Sequence, residues 1–296
     1  MYDTTKPYTK NILSLIKPTW KRKFPSSASV DGIGTKGIYH WEQRSFRNAT
    51  LDALAMNLND MGVMSSKVRT LQDHIMLPED DEEAIIEIVQ VLSKECKKRD
   101  IEINAGETSI HRNLDGLEIG ISVQGDYLTT KRNRFVRGDY LVGIGSNGLH
   151  SNGFTRVREL FGDEFRPEFI EPTFIYYDLI LNLIAKREIN GMVHVTGGAY
   201  TKLKNILERE DLVIQESFHP QPIFYDIYKR GLSDEEMYKT FNCGIGFVLG
   251  VSEKDSRKVI AQSNNHGFKA EVIGRVIDGK GKVRIKSAFS GRKIVL

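Results

Sequence analysis

Apolar and polar positions along the chain switch between a period of two and a period near 3.6, which predicts alternating strands and helices. "SSASV" (26–30) reads as a strand running into the glycine turn of "DGIGTKG" (31–37), and "ATLDALAMNLNDMGV" (49–63) as a helix. After Pro78, "DDEEAIIEIVQVLSKECKKR" (80–99) predicts a helix with acids in its first turn and bases in its last, as the macrodipole favours. "IEINA" (101–105) and "LEIGISVQGDYL" (117–128) predict strands, followed by a strand at 140–146 and helices near 152–161, 173–186 and 199–208. A strand at 244–252, a helix at 253–264 and strands at 270–276 and 282–286 close the pattern. The basic, turn-rich "TTKRNRFVRGD" (129–139) is the expected joint, giving an α/β or α+β protein with domains at 1–136 and 137–296. Glycines concentrate at strand ends, where open α/β sheets bind ligands.

Composition narrows the function classes. The 296 residues, 40% hydrophobic and 27% charged, suit a globular protein with a sizeable core. The longest apolar run, "AIIEIVQVL" (84–92), is too short for a membrane span, and "MYDTTKPYTK" lacks the apolar centre of a secretory signal, so a cytoplasmic location is expected. Basic and acidic residues, 42 and 39, are interspersed. The clusters "KRK" (21–23), "KKR" (97–99) and "KRNR" (131–134) lack interleaved aromatics, so no nucleic-acid partner is expected. Cys96 and Cys243 are too few and too isolated for a disulfide framework or a zinc site.

Candidate chemistry begins in the helix 49–63. With Asp52 set at zero on an ideal wheel, Asn59 falls near ~340° and Asp60 near ~80°, while Leu51, Leu54, Ala55, Leu58 and Met61 fall on the other side. A solvated face would normally carry Lys, Glu or Gln; Asp and Asn are poor mid-helix residues but good hard-oxygen ligands for Mg2+. Asp73 shares a strand face with Leu71 and Ile75, and Glu107 follows a glycine at a strand end. In "DGIGTKG", an acid suits a magnesium ion while Lys36 and glycine backbone suit a phosphate.

"GIGSNG" (143–148) matches the dinucleotide fingerprint literally, but Pro167 and Pro172 interrupt the helix and second strand that a Rossmann unit requires. No Walker-type loop is present. "GLHSNGF" (148–154) sets His150, Ser151 and Asn152 before a helix, and "HVTGGA" (194–199) opens another helix through two glycines; both are candidate anion loops.

The ordered blocks "VDGIGTK", "LNDMG", "AGETS", "GLHSNGF", "EPTFIY", "VHVTGGA" and "MYKTFNCGIGF" resemble aminoimidazole ribonucleotide synthetases, also called phosphoribosylformylglycinamidine cyclo-ligases. The resemblance implies a two-domain synthetase superfold: an N-terminal mixed sheet with helices forming the core of a homodimer, and a second α/β domain. It also implies ATP-dependent ring closure of formylglycinamidine ribonucleotide through phosphorylation of the formyl amide oxygen, with ATP and Mg2+ and a monovalent cation left open. Matched residue by residue, Asp31, Gly32, Gly34, Thr35, Lys36, Asp52, Asn59, Asp73 and Glu107 would bind ATP, with Asp31, Asp60 and Glu107 on the metal. Ser151, Asn152, Gly153, Thr196, Gly197, Gly198 and Asn242 would surround the ribonucleotide; His150, Lys36 and Asp60 would be catalytic, His150 as acid or base. Cys243 reads as a packing residue.

The chain departs from the family pattern in four places. Its upstream segment "KNILSLIKPTWKRKFPSSAS" has no glycine, Ala105 and Ala199 stand at family glycines, and "SSKVR" (65–69) replaces a Gly-Ala-x-Pro turn. A methyl at a backbone position needing φ > 0 is costly. A divergent paralogue using ATP on another amide or phosphate acceptor, or a non-catalytic nucleotide-binding dimer, stays open.

Overall fold

The computed structural model describes residues 9–17, 26–186, 189–215 and 218–296. Residues 18–25 of the upstream segment, including the "KRK" cluster, lie outside the described residues. Helix α1 (Thr9–Ile16) precedes a first sheet of four strands: β1 (Ser26–Gly32), β2 (Ser66–Leu77), β3 (Glu102–Ile110) and β4 (Glu118–Tyr127). Their order is β1-β4-β2-β3, with β4 antiparallel to both neighbours and β2 parallel to β3. Helices α3 (Phe46–Val63) and α4 (Glu82–Lys98) cover one face, burying Leu54, Leu58, Ile88 and Leu92 against Leu71, Ile75, Ile119 and Val123. Asp81 starts α4 by accepting from the Ala84 N–H. The other face is open: Val30 is 76% exposed.

The second sheet has the order β11-β10-β7-β9-β5-β8-β6. Its strands are β5 (Tyr140–Gly145), β6 (Gly191–His194), β7 (Glu210–Ile214), β8 (Ile245–Val251), β9 (Ala270–Asp278), β10 (Val283–Lys286) and β11 (Lys293–Val295). Helices α6 (Tyr177–Ala185) and α9 (Glu253–Asn265) bury Leu179, Ile180, Leu183 and Val259 on one side of it. On the other lie α5 (Phe154–Phe161), α7 (Pro222–Lys229), α8 (Asp234–Thr240) and a 3-10 helix at Ala199–Ile206, where a continuous helix was expected. The "KRNR" cluster is structural: Lys131 donates to the Ile189 carbonyl, Arg132 pairs with Glu208, and Asn133 exchanges hydrogen bonds with the Met192 backbone.

Two local outcomes decide where the site forms. Lys36 does not sit in an open glycine loop; it begins a short helix, α2 (Lys36–Glu42), whose Lys36, Tyr39 and His40 are buried. The helix expected at 173–186 starts only at Tyr177, and 170–176 runs without helix between the two sheets. Pro172 removes one backbone donor there and biases Glu171 away from helical geometry.

Candidate active site

The polar positions of α3 face the segment 170–176, not solvent. The Asp52 carboxylate accepts from Thr173 N (2.7 Å), Thr173 Oγ1 (2.6 Å) and Ser151 Oγ (2.7 Å). It also pairs with Lys36 Nζ at 2.7 Å and accepts from His40 Nε2 at 2.8 Å. Lys36 Nζ donates further to the Glu171 carbonyl at 2.5 Å, Asn48 Nδ2 to Ile170 O, and Asn59 Nδ2 to Phe174 O, while Asn59 Oδ1 accepts from Tyr176 N. Burial lowers the pKa of Lys36, opposed by Asp52. Burial would raise Asp52, but the Lys36 and His40 contacts hold its carboxyl well below the usual range. Lys36 therefore does not face an open phosphate site in this structure, and Asp52 and Asn59 are spent on backbone and side-chain partners within the chain.

Asp60, about a quarter turn round the helix from Asp52, reaches across to the other half. Its Oδ1 accepts from His194 Nδ1 at 3.1 Å, and His194 lies on β6, in the other half. Asn59 Nδ2 approaches His194 Nε2 at 3.3 Å. The Asn59 amide is oriented by its two backbone partners, so its N–H faces Nε2, and the proton of a neutral His194 sits on Nδ1. Burial lowers His194, opposed by Asp60. Burial would raise Asp60, but His194 and Lys202 keep its carboxyl below the ordinary value.

Asp31 stands near Asp60. Burial pushes its carboxyl up to about 6, against the hydrogen bond from Gly32 N and with the Asp60 charge adding to the rise. Asn57 Nδ2 donates to the Asp31 carbonyl, while Asn57 Oδ1 is a buried acceptor with no partner. Glu118 accepts from Ile33 N (3.0 Å) and, more weakly, Gly34 N (3.4 Å), and burial raises its pKa. A β carbon on Gly32 would lie 2.3 Å from Glu118 Oε1, so this glycine is needed for close approach, not for a loose turn. Thr35 Oγ1 meets Thr155 Oγ1 across the halves at 3.2 Å.

The expected metal set of Asp31, Asp60 and Glu107 is not assembled in one chain. Asp31, Ile121, Asp73 and Gly106 are registered across the sheet, so Asp31 and Asp73 share the helix-covered face, roughly 10 Å apart at ~4.8 Å per strand. Glu107 pairs with His74 and projects from the opposite face of the exposed edge strand β3. Burial raises Asp73, and Gly106 leaves room for its carboxylate, 2.9 Å from where a β carbon would be. Among the described residues, no three His, Cys, Asp or Glu side chains converge on a metal position. The two acids Asp31 and Asp60, beside the partnerless Asn57 oxygen, still fit an ion that completes its shell with nucleotide phosphates, as Mg2+ commonly does.

On the second half, the ends of β5, β6 and β8 bring three loops together. His150 is 1% exposed, takes φ 60°, and faces Asn147 Oδ1 through Nε2 at 3.1 Å. Asn147 Nδ2 is held by the Pro172 carbonyl, so Oδ1 receives the Nε2–H and His150 Nδ1 is left as a bare, buried acceptor. Burial, helped by the His194 and Lys36 charges, lowers the His150 pKa to about 3. Of the two roles expected for His150, acid or base, a neutral imidazole with a bare acceptor suits the base and not the acid. Ser151 is committed to Asp52 and to Thr173 Oγ1 at 2.9 Å. Asn152 Nδ2 is buried without a partner, and Gly153 opens α5 at φ 79°.

Thr196 O accepts from Ala199 N at 2.6 Å, and Thr196 Oγ1 accepts from Lys202 Nζ. Gly197 lies against Asn152 Oδ1, and Gly198 takes φ 78°. Asn242 Oδ1 accepts from Ser146 Oγ and Gly244 N, and its Nδ2 donates to Gly148 O, so it braces loops instead of offering an open amide. Cys243 is 1% exposed, as a packing residue should be. Sequence reasoning missed His194, His40, Thr173, Glu118, Asn57 and Lys202. His194 directly precedes "VTGGA" and was the legible one, an imidazole at a strand end beside a candidate anion loop.

Residues 23–126 match the family described as "AIR synthase related protein, N-terminal domain", and residues 136–286 match "AIR synthase related protein, C-terminal domain". The chain belongs to the AIR synthase related family. Within this family it is 35% identical over 260 residues to a protein of Saccharolobus solfataricus named phosphoribosylformylglycinamidine cyclo-ligase, covering 85% of this chain and 79% of the relative. It is 34% identical over 274 residues to a protein of that name from Methanocaldococcus jannaschii, covering 84% and 77%. The AIR synthase related fold is also similar to that of hydrogenase maturation protein HypE solved in complex with ATP, at TM-score 0.67 and 17% identity, covering 100% of this chain and 96% of the other.

Proposed function

We propose that this protein catalyses ATP-dependent ring closure of formylglycinamidine ribonucleotide, forming a C–N bond in purine biosynthesis. The observation that carries the reading is the match of both family domains, with cyclo-ligases the relatives over about 85% of the chain. The γ-phosphate of ATP passes to the formyl amide oxygen; the amidine nitrogen attacks the activated carbon, and phosphate leaves. Such chemistry depends on positioning and charge neutralisation more than on a reactive nucleophile. The bare His150 Nδ1 accepts a hydrogen bond from the amidine N–H and so aims that nitrogen. Gly197 and Gly198 give backbone access to the substrate's phosphate beside Lys202.

Asp31 and Asp60 would hold Mg2+ with the nucleotide phosphates, and a bound ion would neutralise charge developing during transfer. The open face of the first sheet, carrying Val30 and Glu107, is where two copies pair as a homodimer to complete the ATP sites. Among the described residues no helix is long and apolar enough to cross a membrane, in keeping with a cytoplasmic enzyme.

The deciding experiment is ADP release with Mg-ATP, with and without formylglycinamidine ribonucleotide, using Asp60→Asn as control. Release that requires the ribonucleotide and is lost in the variant is the expected result. A folded wild-type protein that releases no ADP with this substrate overturns the proposal.

A further inference from the structure

Gln221 immediately precedes Pro222 at the start of α7, and its side chain does not cap that helix. Its Nε2 instead donates to the Ser146 carbonyl, just beyond the end of β5. A carbonyl only accepts, so the carboxamide is fixed with Nε2 toward Ser146 and Oε1 turned away. Oε1 is buried and has no hydrogen-bond partner.

Buried acceptors without donors are unfavourable, and each one in a folded protein needs a reason. Two further partnerless atoms, His150 Nδ1 and Asn152 Nδ2, belong to the loop that follows Ser146. Gln221 is tied through Ser146 to that same loop, which Asn242 braces from Ser146 to Gly148. Gly244, at φ 93°, lies beside this oxygen: a β carbon there would be in contact with Gln221 Oε1 at 3.6 Å and tight against Pro220 Cα at 3.2 Å.

Resting on the cyclo-ligase reading, we infer that Gln221 is a specificity-determining residue whose Oε1 accepts a hydrogen bond from an N–H or O–H donor of the ribonucleotide. The substrate offers donors of both kinds, an amidine and ribose hydroxyls. Gln221 contacts neither of the acids assigned to the nucleotide, so its effect falls on one substrate only.

The test uses the full chain with Gln221→Met, which removes the acceptor at similar volume, and Gln221→Glu, which keeps an acceptor but cannot donate to Ser146. Titration calorimetry with formylglycinamidine ribonucleotide and with ribose 5-phosphate is paired with steady-state ADP release. Gln221→Met is expected to weaken ribonucleotide binding and raise its KM at least tenfold, leaving the KM for ATP unchanged. Gln221→Glu is expected to stay within about threefold of wild type. Ribose 5-phosphate weakened to the same degree assigns the donor to a ribose hydroxyl; ribose 5-phosphate unaffected assigns it to the amidine.

Equal impairment in both variants shows that the Ser146 contact matters and the acceptor does not, which overturns the inference. So does a folded Gln221→Met protein with wild-type affinity and KM, while the cyclo-ligase reading stands. A wild-type protein that neither binds nor turns over the ribonucleotide overturns both. Should Gln221→Met fail to fold, Gln221→Ala takes its place with the same ligands and the same outcomes.

Discussion

Lys36 Nζ lies 2.7 Å from Asp52 Oδ2, and both side chains are fully buried. Removing one member of a buried pair strands the other charge, at a cost of about 3–5 kcal/mol. Asp52→Ala should therefore lower unfolding free energy by roughly that amount. Lys36→Met combined with Asp52→Leu should lose less than the two single changes added together. Denaturant unfolding of Asp52→Ala, the two single changes and the double variant checks this; a loss below about 1 kcal/mol for Asp52→Ala would show that the pair is not a structural centre.

Asp60→Asn should behave oppositely. An asparagine Oδ1 can still accept from His194 Nδ1, so the melting temperature should hardly move. Turnover at saturating ATP should fall at least tenfold, about 1.4 kcal/mol of barrier. Thermal scans and ADP release on the same preparation separate the two; retained activity removes Asp60 from the metal site.

The pH dependence of stability should carry the mark of His150. Its pKa falls from 6.5 in the unfolded chain to about 3 in the folded one, chiefly through burial. Below 6.5 the unfolded state binds the extra proton, so this contribution is complete above that pH and drains away as pH falls toward 3. His150→Gln should flatten the acid limb of a plot of melting temperature against pH. An unchanged limb would mean that other groups set it.

Ala199 sits at φ 42°, where a methyl is strained. Ala199→Gly should raise stability by about 0.5–1 kcal/mol, read by chemical denaturation. A fall instead would show that the buried methyl packs better than the backbone strains.

Much of the fold was legible because α4 carries an amphipathic repeat, β4 alternates, and β5 and β8 are short apolar runs bounded by turn residues. The short α2 was not: "KGIYHWE" has no amphipathic repeat, and missing it turned Lys36 outward in the sequence reading. The polar side of α3 was visible as an anomaly, yet a helical wheel gives a direction and not the neighbour that fills it. Asp52 and Asn59 were singled out as nucleotide ligands, but the partners they hold here, Thr173 and the Phe174 and Tyr176 backbone, come from a stretch more than a hundred residues away. Glu107 stands apart from Asp31 for a different reason. Only strand pairing reveals that it and Asp31 leave opposite faces of one sheet. Ala105 replaces a family glycine without penalty, since it lies on an exposed edge strand and takes no positive φ.

The segment 170–176 is gripped by Asn48, Asp52, Asn59 and Lys36 from one half and by Asn147 from the other. The segment works as a clasp between the halves: swinging them apart would unbutton several buried polar contacts at once. Substrates must then enter and leave through the movement of loops at the rim, with the two halves travelling as a single lever.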